Sequence, residues 1–359
     1  MFFRRSLVIS VYIEYVNARV RGMKRHLMDR EFFEKLMKKP DIDAIITELE
    51  KTSYHEGIEK ASVQSSGLGL IDQALRHHLV QTYRLLLSLV MNEKFERHVR
   101  IFLEKWDIQN IKTIMRGKNI NAPADEILAC LVPAGQLDEV TLLELVRQPD
   151  VRGVIDLLAT WGSDYARPLT ERFGKYAEKK DLAILEYALD RFYYERALRL
   201  LAGRSVDDRK ARDLLTTEID VVNIKSVLRL IRDGVKPEDG KNVLIEGGKA
   251  LDMPALLDLL NSGSIRAARS ALRDTPYSFL STLPEKNVGN ETISEYEKEL
   301  DRYIIDQGIQ MFRGDPLSIA GAIAYIVAKN NEIANIRIIS HCKGAYLPEE
   351  EIKEEVLYV

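Results

Sequence analysis

Six histidines, two cysteines and a Gly-Gly-Lys turn are the residues of this 359-residue chain best suited to chemistry, and their spacing argues against it. A structural zinc site needs four Cys or His ligands at short intervals, yet Cys130 and Cys342 lie in distant parts of the sequence. His77 and His78 are adjacent on a helix-forming stretch, where neighbouring side chains point about 100° apart and cannot chelate together. His341-Cys342 has the same defect, and Cys342 aligns with Gly117 of an equivalent segment, which marks it as a helix-end residue. Glu246-Gly247-Gly248-Lys249-Ala250 carries the Gly-Lys pair of a phosphate loop. However, Val243 stands where the first glycine belongs, and Ala250 where a metal-binding hydroxyl belongs. Gly67-Leu68-Gly69, after Ser65-Ser66, reads as a flexible turn. The sequence contains neither a Gly-x-Ser-x-Gly elbow nor a His-Glu-x-x-His helix. No catalytic residue, cofactor site or metal ligand is therefore expected.

A recurring asparagine is the more informative polar residue. Asn110-Ile111-Lys112, Asn223-Ile224-Lys225 and Asn335-Ile336-Arg337 repeat at intervals of 113 and 112 residues. Other landmarks keep step with them: Leu75, Leu189 and Leu300 some 34 or 35 residues before, and Pro123, Pro237 and Pro348 some 13 or 14 after. Asparagine in a helix interior costs roughly 0.5–0.7 kcal/mol relative to alanine. Here it lies on an apolar stripe, between Trp106 and Ile114 or between Ile219 and Val227. A buried amide needs partners, so the expected role is structural, a fixed polar contact recurring once per unit. The basic residue two positions on (Lys112, Lys225, Arg337, and Arg19 in an N-terminal copy at Asn17) is expected to be solvated, or to meet the acid of a partner.

The elements that carry these residues are helices. Leu103, Trp106, Asn110 and Ile114 fall on one stripe of a long helix that nothing breaks between Asn92 and Gly117, and Gly117 and Asn119 can end it. Acidic residues follow each repeat proline, as at Asp125-Glu126, Glu238-Asp239 and Glu349 to Glu351, which is a helix-start signal. Leu142 to Leu145 and Leu256 to Leu259 recur at the same distance beyond. An abbreviated copy opens the chain: Asn17-Ala18-Arg19, Phe32-Phe33-Glu34, Ile42 to Leu49, then Tyr54. The fold expected is all-α, with three similar helical domains from a repeat of about 112 residues: 1–118, 119–232 and 233–359. Loops are expected at Gly57 to Gly69, Trp161 to Thr170 and Thr275 to Asn290. The aromatic run Tyr187, Phe192, Tyr193 and Tyr194, interleaved with arginines, has helical spacing and reads as core rather than as a base-stacking surface.

Composition sets the remaining bounds. Apolar residues make up 46% and charged residues 30%, with a net charge of −3. That is ordinary for a soluble globular chain and argues against nucleic acid or anionic lipid as a non-specific partner. Two cysteines point to a reducing compartment. The longest apolar runs fall short of the roughly 20 residues that span a bilayer, and Met1 to Tyr12 reads as a loose start without a leader cleavage site.

The opening Tyr12-Ile13-Glu14-Tyr15-Val16-Asn17-Ala18-Arg19-Val20-Arg21-Gly22-Met23-Lys24 resembles the N-terminal signature of the family of C subunits of A/V-type ATP synthases. Glu332 to Ile339, with Lys343-Gly344 and the acidic stretch from Pro348 to Ile352, is similar to that family's C-terminal pattern. The resemblance covers the chain from Tyr12 onward and departs at Cys342, where a glycine is usual. It extends to the d subunit of the eukaryotic V-ATPase. It implies a funnel- or socket-like helical body without catalysis, a rotor part at the cytoplasmic face of the membrane. Such a part joins the central axle of subunits D and F to the membrane proteolipid ring, so that torque passes between ion transport and ATP synthesis or hydrolysis. Arg21, Lys24 and Arg25, on a basic N-terminal helix, are candidate partner contacts. The competing expectation is a helical-repeat adaptor outside any rotary motor.

Overall fold

The computed structural model describes residues 2–91, 94–283 and 293–358, with backbone alone for 2–11. Among them the fold is all-α, without a strand. A long helix α1 (Phe2–Lys24), helical from Phe2 where a loose start was expected, leads into short α2 (Arg30–Met37), α3 (Ile42–Leu49) and α4 (His55–Ala61). A long pair, α5 (Gly67–Val90) and α6 (Glu96–Asn119), precedes α7 (Ala124–Ala129), α8 (Glu139–Val146), α9 (Val151–Thr160) and α10 (Ala166–Lys179). The order recurs with long α11 (Ala183–Leu200) and α12 (Val206–Arg232), then α13 (Pro237–Gly240), α14 (Met253–Asn261), α15 (Ile265–Ala271) and α16 (Phe279–Thr282). A third long pair, α17 (Ser294–Gln310) and α18 (Ala320–Gly344), is joined through a 3-10 turn at Met311–Arg313 and followed by α19 (Glu349–Glu355).

Local chemistry accounts for the starts and stops. Asp29, Asp138 and Asp252 cap α2, α8 and α14 through side-chain bonds to backbone N–H groups, and Asp41, Asp150 and Ser264 do so for α3, α9 and α15. Each such cap is worth about 1 kcal/mol. The three signature helices stop alike, with one left-handed residue (Asn121, Gly234, Tyr346) just past the helix. The next N–H then reaches back to the final turn: Ala122 to Gly117 O, Val235 to Leu230 O and Leu347 to Cys342 O, at 2.8–3.0 Å.

Gly117, expected to end α6, lies inside it. An added Cβ there would come within 2.5 Å of Ile127, so this glycine admits α7 rather than breaking the helix. Pro123 and Pro348 are N-caps, and only Pro237 of the three repeat prolines occupies a first helical turn. The expected loops shrink as well. Gly57 lies within α4, α10 begins inside the second loop, and α16 inside the third, whose part from residue 284 onward lies outside the described residues. So does Asn92, the expected start of the long helix, which begins at Glu96.

Contacts divide the chain into two compact units, Met1–Leu189 with Ile309–Val359, and Asp190–Gly308. The second has its own core, in which Ile224, Val227 and Leu228 of α12 meet Leu256, Leu259 and Leu260 of α14, with Ile265 and Tyr277. In the first unit both ends of the chain converge on α18, which packs against α1, α2, α3, α5 and α19. Tyr358 lies 6.5 Å from Phe33 between ring centroids, beneath the Arg30 guanidinium. Among the described residues no helix is long and apolar enough to cross a membrane.

Candidate functional site

Each signature asparagine binds one backbone position 22 residues further on. Asn110 donates its amide to Val132 O at 2.7 Å and accepts from Val132 N at 2.8 Å. Asn223 does the same with Ile245 at 2.7 and 2.8 Å, and Asn335 with Leu357 at 2.9 and 3.1 Å. All three are at most 2% exposed. The side-chain amide thus acts as a piece of backbone. It pairs with the N–H and C=O of one residue in an irregular segment, although Val132 O also accepts from Ala134 N and Leu357 O from the Asn331 amide. Asn17 works differently, donating from α1 to the carbonyls of Pro316 and Ser318 at 2.7 and 3.1 Å.

The basic residues beside the signature diverge. Lys112 is buried. Lys225 meets Asp301 of α17 at 2.5 Å, and Arg337 meets Asp72 of α5 at 2.9 Å. A turn after Lys112, Arg116 forms a two-pronged pair with Glu186 of α11 at 2.6 Å. Arg19, Arg21, Lys24 and Arg25 are exposed along and just past α1, with the Lys24 ammonium 4.2 Å above the Phe312 ring.

An acid one turn before each signature asparagine completes the site. Sequence reasoning misses it, although Asp107, Asp220 and Glu332 occupy the same place in the same repeat. Asp107 accepts from the N–H groups of Gln136 and Leu137 at 2.8 and 2.9 Å and from the Tyr165 hydroxyl at 3.0 Å. Asp220 accepts from the N–H groups of Lys249, Ala250 and Leu251 at 2.7–3.3 Å and from the Tyr277 hydroxyl at 2.8 Å. Glu332 accepts from Met28 N, Tyr54 Oη and Lys329 Nζ, each at 2.5 Å.

The equivalence reaches single positions. Leu137, Leu251 and Met28 each precede the aspartate that caps the next short helix. Tyr165, Tyr277 and Tyr54 each follow the capped helix beyond that one. The Gly-Gly-Lys turn is thereby explained, because its consecutive N–H groups enclose the carboxylate of Asp220. A Cβ on Gly248 would lie 2.0 Å from that carboxylate, and one on Gly135 2.2 Å from Asp107.

Charge differs among the three sites. Burial raises the Asp107 carboxyl to about 6 against the pull of its hydrogen bonds, and raises Asp220 in the same direction. Beside Glu332, Lys329 is wholly buried and its ammonium lies 4.7 Å from the Tyr54 ring centre. His78 packs against the same Tyr54 ring, at 4.4 Å between centroids, and burial followed by the Lys329 charge lowers its pKa to about 3.

A partly open cavity of about 560 Å³ lies among α4, α5, α7 and α8, with Lys60, Gln73, Arg76 and His77 facing Asp125 and Glu139. Its Arg76 binds the carbonyls of Leu128, Ala129 and Leu131, as Arg191 binds those of Asn242 and Leu244 in the second unit. Among the described residues no three His, Cys, Asp or Glu side chains are placed to hold a metal. These polar groups fasten short helices and irregular segments to long helices; they form no nucleophile and base pair.

Residues 16–355 match the model of the ATP synthase (C/AC39) subunit family. The C subunit of the A-type ATP synthase of Methanococcoides burtonii is 31% identical over 344 residues, covering 96% of this chain and 93% of its own. Those of Methanocaldococcus jannaschii and Halobacterium salinarum are 28% and 30% identical, over 94% and 96% of this chain and 84% and 97% of theirs. The expected resemblance thus extends over nearly the whole chain, which belongs to the ATP synthase (C/AC39) subunit family.

Proposed function

We propose that this chain is the non-catalytic coupling piece of an A-type ATP synthase rotor, standing between the central axle of subunits D and F and the membrane proteolipid ring at the cytoplasmic face. Membership of the family makes it a subunit of an ATP synthase complex. The observation that carries the finer reading is the thrice-repeated fastening. A part that transmits torque must deform little, and here each signature helix is locked to its short helices by an acid and an amide one turn apart. Packing at near crystal density supplies the remaining stiffness.

The three-domain organisation belongs to the same proposal. Its boundaries at 118/119 and 232/233 fall at the ends of α6 and α12, and the portion centred on α18 also draws in α1–α4. A funnel or socket built from three such portions would hold the axle, and Arg21, Lys24 and Arg25 would offer a partner contact.

The test is affinity capture of the tagged chain from detergent-solubilised membranes. Recovery with the axle subunits and the proteolipid ring supports the rotor role. Recovery only from the soluble fraction, with partners outside any ATP synthase, overturns it in favour of an adaptor.

A further inference from the structure

Along the first unit, exposed cations stand beside carboxylates of their own helix. Arg30 meets Glu34, Lys60 meets Glu56, Arg147 meets Glu144, Arg152 meets Asp156 and Arg167 meets Glu171, each at 3.2 Å or less. The end of α1 breaks the pattern. Between Tyr12 and His26 the sequence has four cations, Arg19, Arg21, Lys24 and Arg25, against one acid, Glu14. All four cations are exposed, and among the described residues none of them is ion-paired. The Lys24 ammonium instead lies 4.2 Å from the Phe312 ring, which brings the turn at Met311–Arg313 alongside and adds the exposed Arg313. Asn17 pins the two segments together through the carbonyls of Pro316 and Ser318 at 2.7 and 3.1 Å. Tyr15 and Leu317, 53% and 46% exposed, flank that pin, one on each segment. Of the acids next to these cations in sequence, Asp29 caps α2 and Asp315 accepts from the Leu317 N–H at 2.8 Å.

We propose that this surface, Arg19, Arg21, Lys24, Arg25 and Arg313 with Tyr15 and Leu317, docks the chain on anionic phospholipid headgroups. The occupant follows from charge and shape. Four of the five cations are arginines, whose guanidinium forks match phosphate oxygens with two parallel bonds. They occupy the solvent side of a helix and an adjoining turn, and such a convex face suits a plane of headgroups. A tyrosine and a leucine exposed among cations are side chains that rest at the boundary between headgroups and acyl chains. Because the whole chain carries a net charge of −3, attraction to an anionic bilayer is confined to this patch. Each cation held close to such a surface tightens binding about fivefold. The proposal rests on the rotor reading only for the nearness of a bilayer.

Sedimentation of the intact chain with vesicles tests it apart from the rotor reading, since no other subunit is present. In about 0.05 M salt the chain is expected to bind vesicles of about 30% phosphatidylglycerol in phosphatidylcholine roughly tenfold or more tighter than phosphatidylcholine alone, and about 0.5 M salt should release it. Arg21→Gln/Arg25→Gln is expected to weaken the anionic binding roughly twentyfold, and Arg147→Gln/Arg167→Gln, which neutralises two paired cations, to leave it within about twofold. Should the first variant fail to fold, Arg19→Gln/Lys24→Gln is expected to reproduce its loss. Equal binding to the two kinds of vesicle, binding to neither, or equal loss in the patch and control variants overturns the proposal. So does unchanged vesicle binding by Arg21→Gln/Arg25→Gln together with its failure to capture the axle or the ring from membranes, which would make the patch a protein contact.

Discussion

The fastenings beneath α6 and α18 hold equivalent backbone positions by opposite electrostatics. Asp107 receives only neutral donors, and the residue one turn before it is another acid, Glu104, which Gln136 also contacts through its side chain. Glu332 receives two neutral donors and the ammonium of Lys329 from the corresponding turn. What the two share is the number and direction of hydrogen bonds; what they do not share is charge balance. The architecture therefore requires a carboxylate whose oxygens are satisfied, and neutralisation is an addition specific to the site that joins the two ends of the chain.

Removing a carboxylate should separate the two most strongly. Glu332→Ala leaves Lys329 buried without its counter-charge, and breaking such a pair costs about 3–5 kcal/mol. Denaturant titration of the first unit should show that loss. The double variant Lys329→Met/Glu332→Gln should recover most of it, because replacing both charges removes the stranded one. If the double variant is as unstable as Glu332→Ala, charge is not what distinguishes this site.

The pH response should separate them next. The folded carboxyl of Asp107 titrates near 6, above its unfolded value near 3.8. Between those values the folded chain keeps a proton that the unfolded chain has released. Its contribution to stability therefore falls as pH rises from about 4 to 6 and is level above, by about 3 kcal/mol. Asp107→Asn should lose that slope, so the stability difference between wild type and variant should move by roughly this amount across the window. A difference that stays constant with pH would show that Asp107 titrates normally.

The asparagines sharpen the comparison from the side of geometry. Asn110→Ala, Asn223→Ala and Asn335→Ala each remove the side-chain partner of one backbone N–H, and Asn223→Ala also that of the Ile245 carbonyl, at about 1–3 kcal/mol. The loss in thermal melts should be largest for Asn223→Ala, because Val132 O keeps the Ala134 N–H and Leu357 O keeps the Asn331 amide. Unchanged stability with loss of assembly would instead make the amides partner contacts.

Much of this is legible in the sequence, and the reason is physical. A buried amide in a helix is disfavoured by propensity, so its recurrence at Asn110, Asn223 and Asn335 marks a demand from tertiary structure. The N-cap residues and the stops past α6, α12 and α18 use local chemistry that a sequence displays. The acids are hidden for the opposite reason. Asp and Glu make up 55 residues of the chain, and nothing in composition separates a buried Asp107 from a solvated one. The pairing of Met28 and Tyr54 with Glu332 is hidden by distance along the chain, even though Tyr54 belongs to the abbreviated copy. Gly117 misleads because helix ends and close helix approaches select the same residue.

The smallest effect belongs to the signature cations. The sequence leads one to expect Lys225 and Arg337 in solvent or on the acid of a partner, and the structure instead pairs them within the chain, with Asp301 and Asp72 on neighbouring long helices. Both pairs remain partly exposed, the Arg337 side chain at 46% and Asp301 at 47%, and pairs of this kind contribute about 0–1 kcal/mol. Arg337→Ala should therefore shift the melting temperature of the isolated chain by no more than a few degrees, and raising salt to about 1 M should shrink that shift, because screening acts on exposed charges. His341 Nε2 lies 3.0 Å from the same Asp72 carboxylate. A larger, salt-insensitive loss would place Arg337 among the fastening residues with Asn335 and Glu332, and would make the cation of the signature as structural as its amide.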